Sequence, residues 1–146
     1  MATVDLVDET YLVAAPDVVA DAVHDRTRWR AWWPDLELTV FMDRGPAGIR
    51  WSVTGALVGS SELWLEPFAD GVLVHYYLRV DPADPRRVGR SQDRWADRVR
   101  RRHATAWKQA VNAFKDELEG PRRPGEPRLA AADDKVKPPP GTAEDK

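Results

Sequence analysis

The chain has 146 residues, a formal net charge of -2 and no cysteine. These facts exclude disulfides, thiol catalysis, thiolate metal sites and a strong global field. No run approaches the ~20 apolar residues of a membrane-spanning helix. The N-terminus lacks the basic-then-apolar order of a secretory signal, so a cytoplasmic protein is expected.

Residues 1–119 are expected to form one domain with a single core. Residues 3–13 alternate in part and read as a first strand, with Val4, Leu6 and Asp8 opposite Val7 and Tyr11. Pro16 suits the first turn of a helix whose apolar side is Val19, Ala22 and Val23. Thr27 is placed to cap a second, short helix that Pro34 ends. On that helix Trp29, Trp32 and Trp33 recur at i, i+3 and i+4 and form one aromatic cluster, either a core plug or a pocket wall.

Four strand-like runs follow, at 36–42, 47–53, 57–67 and 71–80. The short connections imply an antiparallel meander, with Asp70–Gly71 at a hairpin tip and Gly55 a turn or a bulge. One face carries Ile49, Trp51, Val53, Leu63, Leu65, Val72, Val74, Tyr76, Leu78 and Val80; the other mixes polar groups with rings, including His75 and Trp64. A long helix over Ser91–Leu118 closes the domain, starting after a cap at either Asp84 or Ser91 and stopping at Gly120–Pro121. Its apolar stripe is read as Trp95, Val99, Ala106, Ala110, Phe114 and Leu118, widened by Trp107 and Val111. A helix of this length needs a partner surface, which the strands supply. Residues 120–146 are rich in Pro, Gly and charge without periodicity and read as a disordered tail.

Charge is uneven. Residues 1–25 include six acidic groups before any lysine or arginine, whereas residues 86–108 include eight arginines and one lysine. Arg87, Arg90, Arg94, Arg98 and Arg101 recur at spacings of 3 and 4, and the favoured reading is a solvated helix back rather than a nucleic-acid contact. His24, His75 and His103 lack metal-site spacing, so no metal and no cofactor are expected.

The order of strand, two short helices, meander and long helix, with Trp29-x-x-Trp-Trp-Pro34 after the first helix, resembles the helix-grip fold. That superfamily includes the START domains, the birch-pollen-allergen (Bet v1-like) proteins and the polyketide cyclase/dehydrase and lipid-transport (SRPBCC) family. The stretch ELWLEPFADGVLVHYYLRVDP is similar to the small actinobacterial proteins of that last family. The resemblance covers residues 3–119 and implies an α+β fold, a curved antiparallel sheet wrapped around the C-terminal helix. The chain departs from the family in strand number: four runs stand where six strands are usual. The resemblance also implies a cavity for a hydrophobic or aromatic small molecule, lipid or polyketide-like. Its wall would include Trp29, Trp32, Trp33, Trp51, Leu63, Val74, Tyr76, Trp95, Val99, His103, Ala106 and Ala110.

Under that reading, removal of Trp51 and Tyr76 is expected to weaken binding without unfolding the domain. The alternative is a cyclase, aromatase or dehydratase, for which Tyr76 and His103 are the acid–base candidates. A pocket mouth is expected along the first half of the long helix, where His103 sits inside the stripe and arginines crowd its flanks. A basic rim there suits an apolar ligand that carries an acid. The oligomeric state, monomer or homodimer, stays open.

Overall fold

Five strands form one antiparallel sheet in the order β1-β5-β4-β3-β2, and a 28-residue helix lies on its inner face. The computed structural model describes residues 2–129. The strands are β1 (Val4–Leu12), β2 (Glu37–Asp43), β3 (Gly48–Thr54), β4 (Leu57–Phe68) and β5 (Gly71–Pro82). The helices are α1 (Pro16–Val23), α2 (Arg26–Trp32) and α3 (Gln92–Glu119). This is the helix-grip arrangement, built on five strands.

The first strand, β1, pairs with the last, β5, from Val4↔Val80 to Leu12↔Val72, and α3, which follows β5, packs against β1. Alternation sets the core: Val72, Val74, Tyr76, Leu78 and Val80 are all buried, as are Ile49, Trp51, Val53, Leu63 and Leu65. One-residue slips would turn each of these sets outward, so the pattern fixes the register.

Several local expectations are corrected. Thr27 does not cap α2. Asp25 does, its carboxylate accepting the Thr27 backbone N–H at 3.0 Å and the Thr27 hydroxyl at 2.7 Å. The β4–β5 tip is Ala69–Asp70 rather than Asp70–Gly71: Gly71 already pairs with Phe68, and Ala69 takes the positive φ of 50°. Gly55 lies in the turn between β3 and β4; a register shift instead interrupts β2 between Val40 and Met42.

Asp84 and Ser91 both mark real boundaries, of different elements. Asp84 accepts from Arg86 N and caps a 3-10 turn at Pro85–Arg87; α3 begins only after a second such turn, Gly89–Ser91, with no side-chain bond from Ser91.

The buried stripe of α3 is Val99, His103, Trp107, Val111 and Phe114, flanked by half-buried Trp95, Ala110 and Leu118. Ala106 is exposed, one position before the ring that takes its place. The compact part runs slightly past residue 119. Arg122 is largely enclosed beside Glu119, and Arg128 N–H donates to Asp70 at 2.5 Å. Of the expected tail, residues 130–146 lie outside the described residues.

Candidate functional site: a groove beside a filled aromatic core

The interior divides along α3. Toward its C-terminal half, large rings fill the space between helix and sheet. Trp33 stacks on Tyr76 and on Trp107 at 5.6 and 5.5 Å between centroids, and meets Trp51 at 5.2 Å. Trp29 meets Trp51 edge-on at 5.1 Å, and Trp32 meets Trp107 and Phe114 at 5.7 and 5.0 Å. Such separations are those of packed aromatic pairs.

Two indole N–H groups of the cluster are paired: Trp29 donates to Val23 O at 2.6 Å and Trp107 to Asp8 Oδ2 at 3.0 Å. Asp8 also takes a bond from Lys108 Nζ at 2.7 Å, which ties the acidic first strand to the basic helix. Trp33 Nε1, Trp51 Nε1 and Tyr76 Oη are buried without a geometric hydrogen bond. Burial holds the Tyr76 hydroxyl well above the usual phenol range, with Ser61 and Trp33 pulling weakly the other way. Tyr76 therefore stays protonated and cannot serve as a base near neutral pH.

Along the first half of α3 the filling stops. Two successive 3-10 turns separate the end of β5 from the start of α3, and α3 buries no tryptophan or phenylalanine before Trp107. The result is an open groove of about 1180 Å³, as large as the roomiest small-molecule clefts. Its apolar surface comes from Leu57, Pro82, Val88, Trp95 and Val99; Gly55, Ala56 and Ala83 add little side-chain bulk. Leu57 and Val99 are buried members of the core, so the floor of the groove is the upper surface of the core itself. Arg87, Arg98, Arg101 and Arg102 line the rim with Asp35 and Asp84.

His103 is buried one residue beyond that rim, and its Nε2 has no partner. Burial lowers its pKa from the ordinary value; the nearby Arg102 adds to this and Asp35 opposes it. The ring is neutral at pH 7.

Two of the smaller concavities elsewhere are lined in part by aromatic side chains. One, of about 370 Å³, is lined by Arg26, Trp29, Arg30, Trp33, Pro34, Leu36 and Leu38. The other, of about 530 Å³, sits on the outer face of the sheet. There Arg44 and Arg50 share one carboxylate, Glu62, at 3.0 and 3.1 Å, and Arg79 lies 3.5 Å from Asp5.

Of the twelve side chains expected around a cavity, Trp95 and Val99 line the groove. Trp29, Trp32, Trp33, Trp51 and Tyr76 form the aromatic packing, with Trp29 and Trp33 also bordering the smallest concavity. Leu63 and Val74 are buried in the core, Ala110 packs at its edge, and His103 sits behind the rim. Ala106 points away from the buried stripe and lines neither the groove nor the two smaller concavities.

The sequence anticipates a basic rim at this mouth without assigning Arg98 and Arg102 to it. Trp95, Arg98, Val99 and Arg102 stand at i, i+3, i+4 and i+7 on one helical face. The arginine spacing taken for a solvated back pointed in part to this wall: Arg98 and Arg101 line the groove, while Arg90 and Arg94 face solvent. His75 was also unexpected. Though on the outer face, it is only 5% exposed, stacked on Trp64 and within 3.3 Å of Glu9 and 3.0 Å of Glu66.

Among the described residues no cluster of His, Asp and Glu could hold a metal ion, and no helix is long and apolar enough to cross a membrane.

No protein-family model and no curated protein sequence matches this chain. Solved structures do. A polyketide-cyclase-like protein of Corynebacterium glutamicum superposes with a TM-score of 0.58 at 17% identity, over 82% of this chain and 93% of that one. The Aha1 dimer of Colwellia psychrerythraea gives 0.56 at 13% identity, over 80% and 96%. A protein of Deinococcus radiodurans gives 0.54 at 11% identity, over 78% and 97%. At these identities the likeness is one of fold.

Proposed function

We propose that this protein binds a hydrophobic or aromatic small molecule in the groove between the first half of α3 and the adjoining ends of β4 and β5. The observation that carries this reading is the uncovered apolar floor. Leu57, Val88, Trp95 and Val99 meet a volume of about 1180 Å³ that no side chain of the described residues fills. Concave apolar surfaces with a few polar groups at the edge are the usual form of small-molecule sites.

Native mass spectrometry of freshly purified protein provides the first test, with a retained apolar molecule as the expected result. Trp95→Ala should then lower affinity for that molecule, or for a fluorescent apolar probe, about tenfold, with a smaller loss of melting temperature than Trp51→Ala gives. Half-buried Trp95 has no place in the dense aromatic packing, and its truncation removes a contact surface worth one to two kcal/mol, roughly tenfold. Equal affinity in wild type and Trp95→Ala would count against the groove.

A second reading, a cyclase or dehydratase on a polyketide-like substrate, draws support from His103. A neutral imidazole with an unpartnered Nε2 behind the rim is the kind of group a proton abstraction requires. Tyr76 does not share that role, since it lies within the filled core. Turnover that persists in His103→Ala would remove the candidate base.

A further inference from the structure

The rim of the groove is electrically unbalanced, and the imbalance sits next to its most apolar wall. Four arginines line the groove against two aspartates. Three of the four have an acidic neighbour: Arg87 is 4.0 Å from Asp84, Arg102 is 3.9 Å from Asp35, and Arg101 is bonded to Asp97. Arg98 has no carboxylate within 4.0 Å among the described residues.

Its position on the helix decides what that cation faces. Trp95 is three residues before it and Val99 immediately after, and Arg102 follows one turn later on the same side. One strip of α3 therefore presents an indole, an aliphatic surface and two guanidinium groups to the same space. The Arg102–Asp35 pair is long at 3.9 Å, and both its side chains are about 60% exposed, so it holds Arg102 only loosely.

We infer that the groove selects amphipathic acids: an apolar body lies on Leu57, Trp95 and Val99, and a single carboxylate is held by Arg98 with Arg102 as the second donor. The inference rests on the groove being the ligand site. A planar guanidinium matches a carboxylate with two parallel N–H donors. The apolar floor beside it excludes water from one side of that pair, which strengthens it over an open-surface contact. A neutral ester of the same shape would offer Arg98 a carbonyl acceptor but no opposing charge.

The probes are pyrenebutyric acid and its methyl ester, with dodecanoic acid and methyl dodecanoate as straight-chain counterparts. Binding is read by pyrene fluorescence, and by competition for the chains. The acids should bind about tenfold or more tightly than their esters, the span expected for a charge-assisted bond. Raising the salt should weaken the acids and leave the esters alone.

Arg98→Gln should abolish the difference by weakening only the acid, and Arg98→Lys should restore part of it. Arg94→Gln, outside the groove, should change neither. Whether pyrene or chain binds better distinguishes a ring-bearing acid from a fatty acid as source. Equal binding of acid and ester, or an acid preference that survives Arg98→Gln, would overturn the carboxylate assignment while leaving the groove as a site. Binding of none of the four would overturn both.

Discussion

The Glu119 carboxylate, in the last turn of α3, accepts the buried Val13 N–H at 2.9 Å and lies between Lys115 and Arg122. Burial pushes its pKa up, but Lys115, the Val13 N–H and Arg122 together hold it below the ordinary value. Its contribution to stability is thus present above the unfolded carboxyl value and lost as pH falls through the lower folded one. Glu119→Gln is expected to cost about 1–3 kcal/mol in urea unfolding at pH 7, with the gap to wild type closing in acid. His103 acts with the opposite handicap. Its folded pKa is depressed, so below ~6.5 the unfolded chain takes up a proton that the folded chain refuses, and stability falls with pH. His103→Phe should flatten the urea midpoint between pH 7 and 5. For Trp51 the sequence suggested a removable pocket residue. Wholly buried among Trp29 and Trp33, it is a core residue, and Trp51→Ala is expected to cost about 3–5 kcal/mol.

Among the elements, α3 shows both the reach and the limit of periodicity. Its length, partner surface and end at Gly120 follow from spacing and a stop signal. Its buried face was misjudged by one position at Ala106, because alanine scores as apolar whichever way it points. The truer stripe passes through His103, which the sequence places inside it, and on to Trp107. Caps failed for a related reason: Asp25 and Thr27 are both good capping types, and only geometry shows which oxygen meets which N–H. Strand β3 adds a constraint from close approach. Gly48 has a φ of 122°, and a Cβ there would lie 1.9 Å from the Leu63 carbonyl oxygen of β4. Gly48→Ala must therefore strain the backbone and push the two strands apart. A loss of at least ~2 kcal/mol is expected, visible as a lowered urea midpoint.

For the molecule as a whole, the β2–β5 meander follows from short connections and alternation written in the sequence, whereas the long-range pairing of β1 with β5 does not. The groove's place along the first half of α3 is anticipated by the thinning apolar stripe; its volume is not, because it arises from what is missing. Volume is unfilled where two 3-10 turns precede α3, and no residue type announces an absence. For the aromatic cluster the sequence favours a core plug over a pocket wall, and ring separations of about 5 Å show it packed. A ligand seated in the groove binds only the folded chain. At a free concentration a hundred times its dissociation constant it should add about 2.7 kcal/mol to stability. A thermal-shift titration of wild type should show this rise, and Trp95→Ala should need a higher concentration to match it.

The distribution of tryptophan also makes the molecule an optical instrument. Of its seven indoles, Trp29, Trp32, Trp33, Trp51 and Trp107 stand in one network of neighbouring rings, Trp64 lies against His75, and Trp95 borders the groove. Rings this close exchange excitation, so the cluster should emit as a coupled group and give signed circular-dichroism bands that vanish once packing loosens, even while the backbone stays helical. Trp95 stands apart from that group. A ligand in the groove should therefore quench or shift a minor component of the emission and leave the coupled bands untouched, reporting occupancy and core integrity as two separate signals from one unlabelled sample.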